Sequence, residues 1–567
     1  MTRFLLLPLL LSCKDKAADT GAEAAAYTPT LACPGAAECP DNDGALAVGV
    51  AARTITPTCW ETWDDTNGDT LWDDDSEAFY DCGCDHLCDG DDGWPGADAG
   101  EADGAFQAVW MAGFDNSKPM QGVHDDLWAR AIVFDQGSTR VALVEVDLVG
   151  FFRPDLLLVR DAVAAAGLDL DHVVVAATHV HEGPDTMGLW GPTESVSGVD
   201  PDYVATVRET IVAAIGEAVA GLTPVGAMRV GQVDVSTYSD KGVYNILTDL
   251  RDPIVIDERM QTLSFWDQAG APIATLVHFG DHPEATADEN LYLTSDFAYM
   301  LREVVEQGVS WDAYSREGVG GTAIFVNGAV GGMMTGLRVE VDDPDGNTWS
   351  GYTLERTVVM GKVMGEMALD AVAGASDVAD PDLSFAVQTM RLPVENWGFQ
   401  TMFLSGIIDR ELFDYDTSKP IDDSNVPSIE TEIDVIDLGP LRLLTIPGEL
   451  FPELNIGGYD GSHVGSSTAV VVDPGNVNPP DLGAAPVGPY IDERLASEHR
   501  WVVGLANDEL GYVVPAYDFL LHETNPWFDE PEGDHYEETN SLGPQTATLL
   551  DAEIDRLVGW VEANQGR

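Results

Sequence analysis

Val173-Val174-Val175-Ala176-Ala177-Thr178-His179-Val180-His181 is an apolar run of strand length that ends in two histidines. β-Branched residues in a short continuous run favour a buried extended segment. An extended backbone sends side chains two apart to one face, so His179 and His181 point the same way. The pattern recurs outward from this stretch. Residues 273–279 deliver Gly280-Asp281-His282-Pro283, and residues 441–446 deliver Pro447-Gly448-Glu449. Residues 501–505 deliver Ala506-Asn507 and then Tyr512, and residues 323–326 deliver the glycine-rich stretch from Asn327 to Gly332. A further apolar run covers residues 141–149, and amphipathic segments at 155–166, 202–220 and 297–307 read as helices. Short apolar runs alternating with amphipathic helices predict a mixed α/β fold. In open sheets of this class, sites form in the crevice beyond the carboxyl ends of the strands.

The residue types gathered there fit a metal. Neutral imidazoles with a carboxylate and an open position are typical of catalytic zinc, while nitrogen and oxygen donors also admit manganese or iron. The competing reading of any single histidine is a hydrogen-bonded core or surface residue, and it stands for His86, His463, His499, His522 and His535.

Composition excludes some partners. The 567 residues carry 27 basic and 98 acidic side chains, a formal charge of −71, which repels phosphate backbones and excludes nucleic acid. Such a surface attracts cations, calcium in particular, although much of the charge reads as a solubilising exterior. With 45% hydrophobic residues the chain can bury a large core, and no internal apolar run reaches membrane-spanning length. No internal repeat is visible, and residues 546–563 read as a closing amphipathic helix.

At the N-terminus, Met1-Thr2-Arg3 precedes an apolar stretch and then Leu10-Leu11-Ser12-Cys13, which resembles a bacterial lipobox. That implies lipid on Cys13, removal of residues 1–13 as a signal peptide, and a membrane-anchored protein outside the cytoplasm, at an outer membrane or cell surface. A plain secretory peptide with an incidental cysteine is the alternative. Residues 14–44 then read as a tether, and 45–567 as one domain that begins with a strand at 45–55. Cys33, Cys39, Cys59, Cys82, Cys84 and Cys88 all lie before residue 90 and favour disulfides in an exported chain, with zinc on Cys82, Cys84 and Cys88 as the competitor. Residues 59–105 form an acidic, cysteine-rich insert. Asp65, Asn67, Asp69 and Asp73 space oxygen ligands as a calcium loop does, but Gly68 holds the fourth position and Ser76 the twelfth. A merely acidic loop is the alternative.

Taken in order, these motifs resemble the neutral ceramidase family. Thr178-His179-Val180-His181-Glu182-Gly183-Pro184 is similar to its Thr-His-Thr-His-Ser-Gly-Pro motif, and Asp281-His282-Pro283 with Ser295-Asp296 to its His-Pro and Ser/Ala-Asp segments. Pro447-Gly448-Glu449-Leu450-Phe451 resembles its Pro-Gly-Glu-Phe segment. Gly504-Leu505-Ala506-Asn507, Tyr512 and Tyr536-Glu537 resemble its later series. The resemblance implies the family's catalytic-domain fold, with zinc held by His179, His282, Glu449 and Tyr512, and His181 beside it as the catalytic group. Taken alone, Glu449 could instead cap a helix and Tyr512 could be a buried phenol. His124 and Asp147 are expected to line the same crevice, behind the ligands or facing substrate, and Asp296 behind the ligands; a turn histidine and a strand-end hydrogen bond are the bland readings of the first two. The implied activity is zinc-dependent hydrolysis of a linear amide or ester, with a small molecule or N-acyl lipid as substrate, as in sphingolipid metabolism.

Two departures point away from ceramide itself. The family's Gly-Asp-Val-Ser-Pro aligns with Gly331-Gly332-Met333-Met334-Thr335, so its aspartate and serine are absent. Little chain follows Tyr536-Glu537, so no C-terminal immunoglobulin-like domain is expected. The rival readings are an inactive surface lipoprotein that binds a lipid or glycan, and a purely structural calcium protein. Oligomeric state is not legible.

Overall fold

A computed structural model describes residues 27–422, 424–464 and 470–565; the lipobox and Cys13 lie outside them. Alternation within strands explains the layering. In Thr139–Val146, Val141 and Leu143 face one core while Ala142, Val144 and Val146 face another. His172–Ala177 splits the same way, with Val174 and Ala176 on one side and Val173, Val175 and Ala177 on the other. A strand apolar on both faces must be covered on both faces.

The larger sheet has nine strands. Its main path runs Thr322–Asn327, Pro272–Phe279, Arg259–Asp267, Thr223–Asp234, Ala47–Thr54, Trp128–Gln136, Thr139–Val146, His172–Ala177, and Ser376–Asp377 pairs off that path. Helices Arg153–Ala165, Pro201–Ala220, Asp296–Gln307 and Leu354–Ala373 cover one face through Leu156, Ile211, Leu301 and Met364. The other face packs on a five-stranded sheet in the order Leu31–Cys33, Leu383–Pro393, Ser428–Leu438, Leu441–Thr445, His499–Val503. Phe265 and Leu276 from the first sheet share this core with Phe385, Leu443 and Trp501 from the second. Helix Thr546–Asn564 closes the outer face through Leu550, Ile554 and Leu557. The result is four layers, helix–sheet–sheet–helix. Each fully buried Val, Leu or Phe in them contributes about 1.5–3 kcal/mol.

Within these two sheets three pairs are parallel: Thr139–Val146 with His172–Ala177, Pro272–Phe279 with Thr322–Asn327, and Leu441–Thr445 with His499–Val503. Parallel partners end at the same edge, which brings their terminal polar residues together. Asn327 ties that edge, donating from Nδ2 to the carbonyls of Thr178 (2.9 Å) and Asp281 (3.0 Å). The second sheet joins it through Gly504 N–H to Asn327 O (3.1 Å) and Asn507 N–H to Val175 O (2.7 Å).

The expected tether needs correction over its second half. Leu31–Cys33 pairs antiparallel with Leu383–Pro393, and Cys33 bonds to Cys39, so this segment is part of the folded sheet. The other cysteines form Cys59–Cys84 and Cys82–Cys88, which removes Cys82, Cys84 and Cys88 as zinc ligands. The insert they staple has no helix or strand beyond a Trp63–Phe79 bridge, and Trp72, Phe79 and Phe106 make ring contacts inside it. No helix among the described residues is long and apolar enough to cross a membrane.

Candidate metal centre

His179 lies two residues past the end of its strand with φ at +70°, a strained value for a non-glycine residue. Its Nδ1–H donates to Val149 O at 2.6 Å, which leaves Nε2 as the free nitrogen. His282 is fixed alike: Nδ1–H donates to Met334 O at 2.7 Å, and its backbone N–H to the same oxygen at 2.8 Å. Histidines that hold metals are oriented in this way, by a carbonyl on the other nitrogen. One ring nitrogen each from His179, His181 and His282 lies within 4.8 Å of the others.

Glu449 Oε2 lies 3.0 Å from His282 Nε2 and 3.5 Å from His179 Nε2. With both Nδ1 atoms donating elsewhere, the neutral imidazoles would turn lone pairs toward a carboxylate. A cation or a proton has to lie between such groups. Burial opposes charging Glu449, yet His179 and His282 outweigh it and hold its carboxyl far below the usual range. Burial likewise lowers His282, but its bond to Glu449 wins and raises it. Glu449 opens the strand Glu449–Leu450, paired in parallel with Tyr512–Val513 so that Glu449 and Tyr512 are register partners. The Tyr512 hydroxyl donates to Met333 Sδ at 3.1 Å.

His181 is held differently. Its backbone N–H donates to Pro283 O (3.0 Å), and its Nδ1 lies 3.2 Å from Glu284 Oε2. Burial, then the neighbouring His179 and His282, push its pKa well down, so its ring stays neutral. Gly113, at φ +110°, packs behind it: a Cβ there would come within 2.4 Å of His181 Cβ. Above the cluster opens a cavity lined by His179, His181, Glu449 and Tyr512 at one end. Phe152, Met187, Phe399, Phe403, Ile408 and Leu542 supply apolar wall.

The structure thus brings His179, His181, His282, Glu449 and Tyr512 to one place. Of the three further residues, His124 and Asp147 fall elsewhere. His124 lines a separate surface groove with Trp311 and Asp343, its Nδ1 2.7 Å from Asp125. Asp147 is fully buried against Arg302 (2.8 and 2.9 Å) and Ser295 (2.9 Å), an ion pair within the layers. Asp296 does not line the cavity, but its Oδ2 accepts from Ala285 N–H at 2.9 Å and so braces the loop that carries His282. Another histidine–carboxylate group, His172 with Glu432 and Asp434, is already closed by Arg160 and Asn507.

Sequence reasoning missed Glu284, Asn327 and Glu509. Glu284 sits two residues after His282, and only the turn at Pro283 aims it at His181. In the insert, Asp65 accepts backbone N–H groups from Gly68 (2.6 Å) and Thr70 (3.1 Å), and Asp69 from Leu71 (3.0 Å). Glu77, one residue past the expected last ligand, closes the turn by accepting from Thr66 N–H (2.9 Å) and Asp73 N–H (3.1 Å).

Comparison with known proteins adds an independent view. Residues 96–342 match the family model described as neutral/alkaline non-lysosomal ceramidase, N-terminal. The fold is similar to the crystal structure of neutral ceramidase from Pseudomonas aeruginosa: 17% identity, TM-score 0.59, with 92% of this chain and 75% of that one covered. A ceramidase structure described as complexed with C2 matches at 16% identity and TM-score 0.59, covering 92% and 76%. No curated protein matches the chain.

Proposed function

We propose, from the premise that residues 96–342 are a neutral/alkaline ceramidase N-terminal domain, that this protein is a metal-dependent hydrolase of linear amides or esters. One observation carries the reading: two backbone-anchored imidazoles and a carboxylate converge at the end of an apolar cavity. His179, His282 and Glu449 would hold zinc, with Tyr512 as a further oxygen donor. A zinc ion bound there supplies Lewis-acid activation of a carbonyl and of water near neutral pH.

The chain's own groups do the rest. His181, neutral and beside the cluster, can pass a proton between the attacking water and the leaving group, or bond the carbonyl oxygen as charge develops on it. Glu284 lies beside that ring, its Oε2 3.2 Å from Nδ1. The apolar walls exclude water and suit an acyl chain. No serine is needed for these steps, which matters because Met334 stands where the family has one, buried at 1% exposure. Lipid on Cys13 would hold such a cavity at a membrane surface, where acyl substrates reside.

The replacement of that serine, together with Gly332 in place of aspartate, favours the second reading: a lipid-binding protein on a hydrolase fold without turnover. A screen of N-acyl amides and esters, run on protein of measured metal content and again after chelation, separates the two. Hydrolysis that disappears with the metal and returns on its replacement supports the enzyme. Hydrolysis indifferent to chelation, or saturable binding without any turnover, overturns it.

A further inference from the structure

Seven carboxylates have a buried oxygen without a hydrogen-bond partner among the described residues, and of these Glu509 alone lines the cavity. It is 4% exposed, and Oε1 accepts from Gly511 N–H at 2.8 Å, while Oε2 has no partner. Its conformation leaves little freedom. Facing it is Gly150, where an added Cβ would come 2.9 Å from Glu509 Cγ and 2.7 Å from Met187 Sδ. The guanidinium that shares this cavity lining is committed elsewhere: Arg410 donates to both oxygens of Asp508, at 2.6 and 2.7 Å, with Phe152 against its face. The sequence places Glu509 between Asn507 and Tyr512, so its backbone is set by the segment that joins the two sheets.

A buried polar atom without a partner is costly unless something else supplies the bond. Asp281, Glu182 and Glu284 also carry such oxygens, but they lie outside the cavity lining. Glu509 instead lines the space a ligand would fill, beside largely apolar walls that also carry Arg410, Tyr536 and Asn540. Burial, then the charge on Glu449, also pushes its carboxyl well up.

We propose that Glu509 determines specificity by bonding a hydroxyl that the substrate carries inside the cavity, so that hydroxylated acyl compounds are preferred over plain hydrocarbon ones. The inference rests on the hydrolase reading for its substrate class, but its test does not depend on turnover. Two matched pairs of N-acyl amides would be compared: 2-hydroxyacyl against unsubstituted acyl, and an N-acyl amino alcohol against the N-acyl alkylamine. Zinc-loaded wild type, Glu509→Leu and Glu509→Gln would be measured by kcat/KM, or by Kd if nothing turns over. Wild type should prefer the hydroxyl in one pair by at least about tenfold, because sites built to bond a substrate hydroxyl discriminate strongly against its loss. Glu509→Leu should bring that ratio near one, and Glu509→Gln should keep part of it. A wild-type ratio near one in both pairs, a preference that Glu509→Leu leaves intact, or no binding of any of the four compounds overturns the assignment. Absence of turnover with a Glu509-dependent Kd ratio would sink the hydrolase reading alone.

Discussion

The candidate metal centre and the acidic insert are both rich in potential ligands, yet they are built in opposite ways. His282 and Glu449 are 167 residues apart in sequence and meet through parallel strands that end at one edge. Asp65, Asn67, Asp69 and Glu77 meet within one turn, through bonds to their own backbone. At the first site the fold fixes the donors and leaves their free atoms facing one another. At the second, the carboxylates already accept backbone N–H groups. A cation is therefore expected to matter for chemistry in one place and for local order in the other.

The sharpest way to break this contrast is His179→Ala. It should lose bound zinc and essentially all metal-dependent hydrolysis, more than the roughly 100-fold that loss of a group behind a ligand costs. Metal analysis beside a hydrolysis assay checks it, and normal zinc content would refute the assignment. Next comes Asp147→Ala, which leaves Arg302 buried with only Glu145 and should cost about 3–5 kcal/mol of stability. Denaturant unfolding reads that directly, and zinc affinity of the folded fraction should stay unchanged, since Asp147 does not line the cavity. Removing Cys59–Cys84 with paired serines, a link across 25 residues, should cost about 3 kcal/mol. That loss should be confined to the insert by hydrogen exchange, with hydrolysis kept. The smallest effect is Asp69→Ala, about 1 kcal/mol from its bond to Leu71 N–H. Excess calcium should raise the wild-type melting temperature more than that of Asp65→Ala; equal shifts would leave the insert as a plain acidic loop.

What was legible in the sequence follows the same division. The strand ends could be read because apolar runs announce strands and the residue after each run is polar, so His179, His282 and Glu449 stood out one by one. The sheet order could not be read, since pairing at such separations leaves no local trace. Asn327 is invisible for that reason: it is one amide after an apolar run until two carbonyls come within its reach. Asp147 misled because a strand-end aspartate looks the same whether it faces a cavity or an arginine on a covering helix. In the insert, the alternate oxygens were plain, but Glu77 lies one place beyond the expected spacing, and which cysteines pair depends on a turn that the spacing alone does not fix.

His179 and His282 extend from the nine-stranded sheet, whereas Glu449 and Tyr512 extend from the five-stranded one. An ion shared by all four would act as a rivet through both halves of the molecule. Its binding would then add to global stability, by about 4 kcal/mol at a thousandfold excess over Kd. Scarcity of metal would be felt first as fragility, and only then as lost turnover.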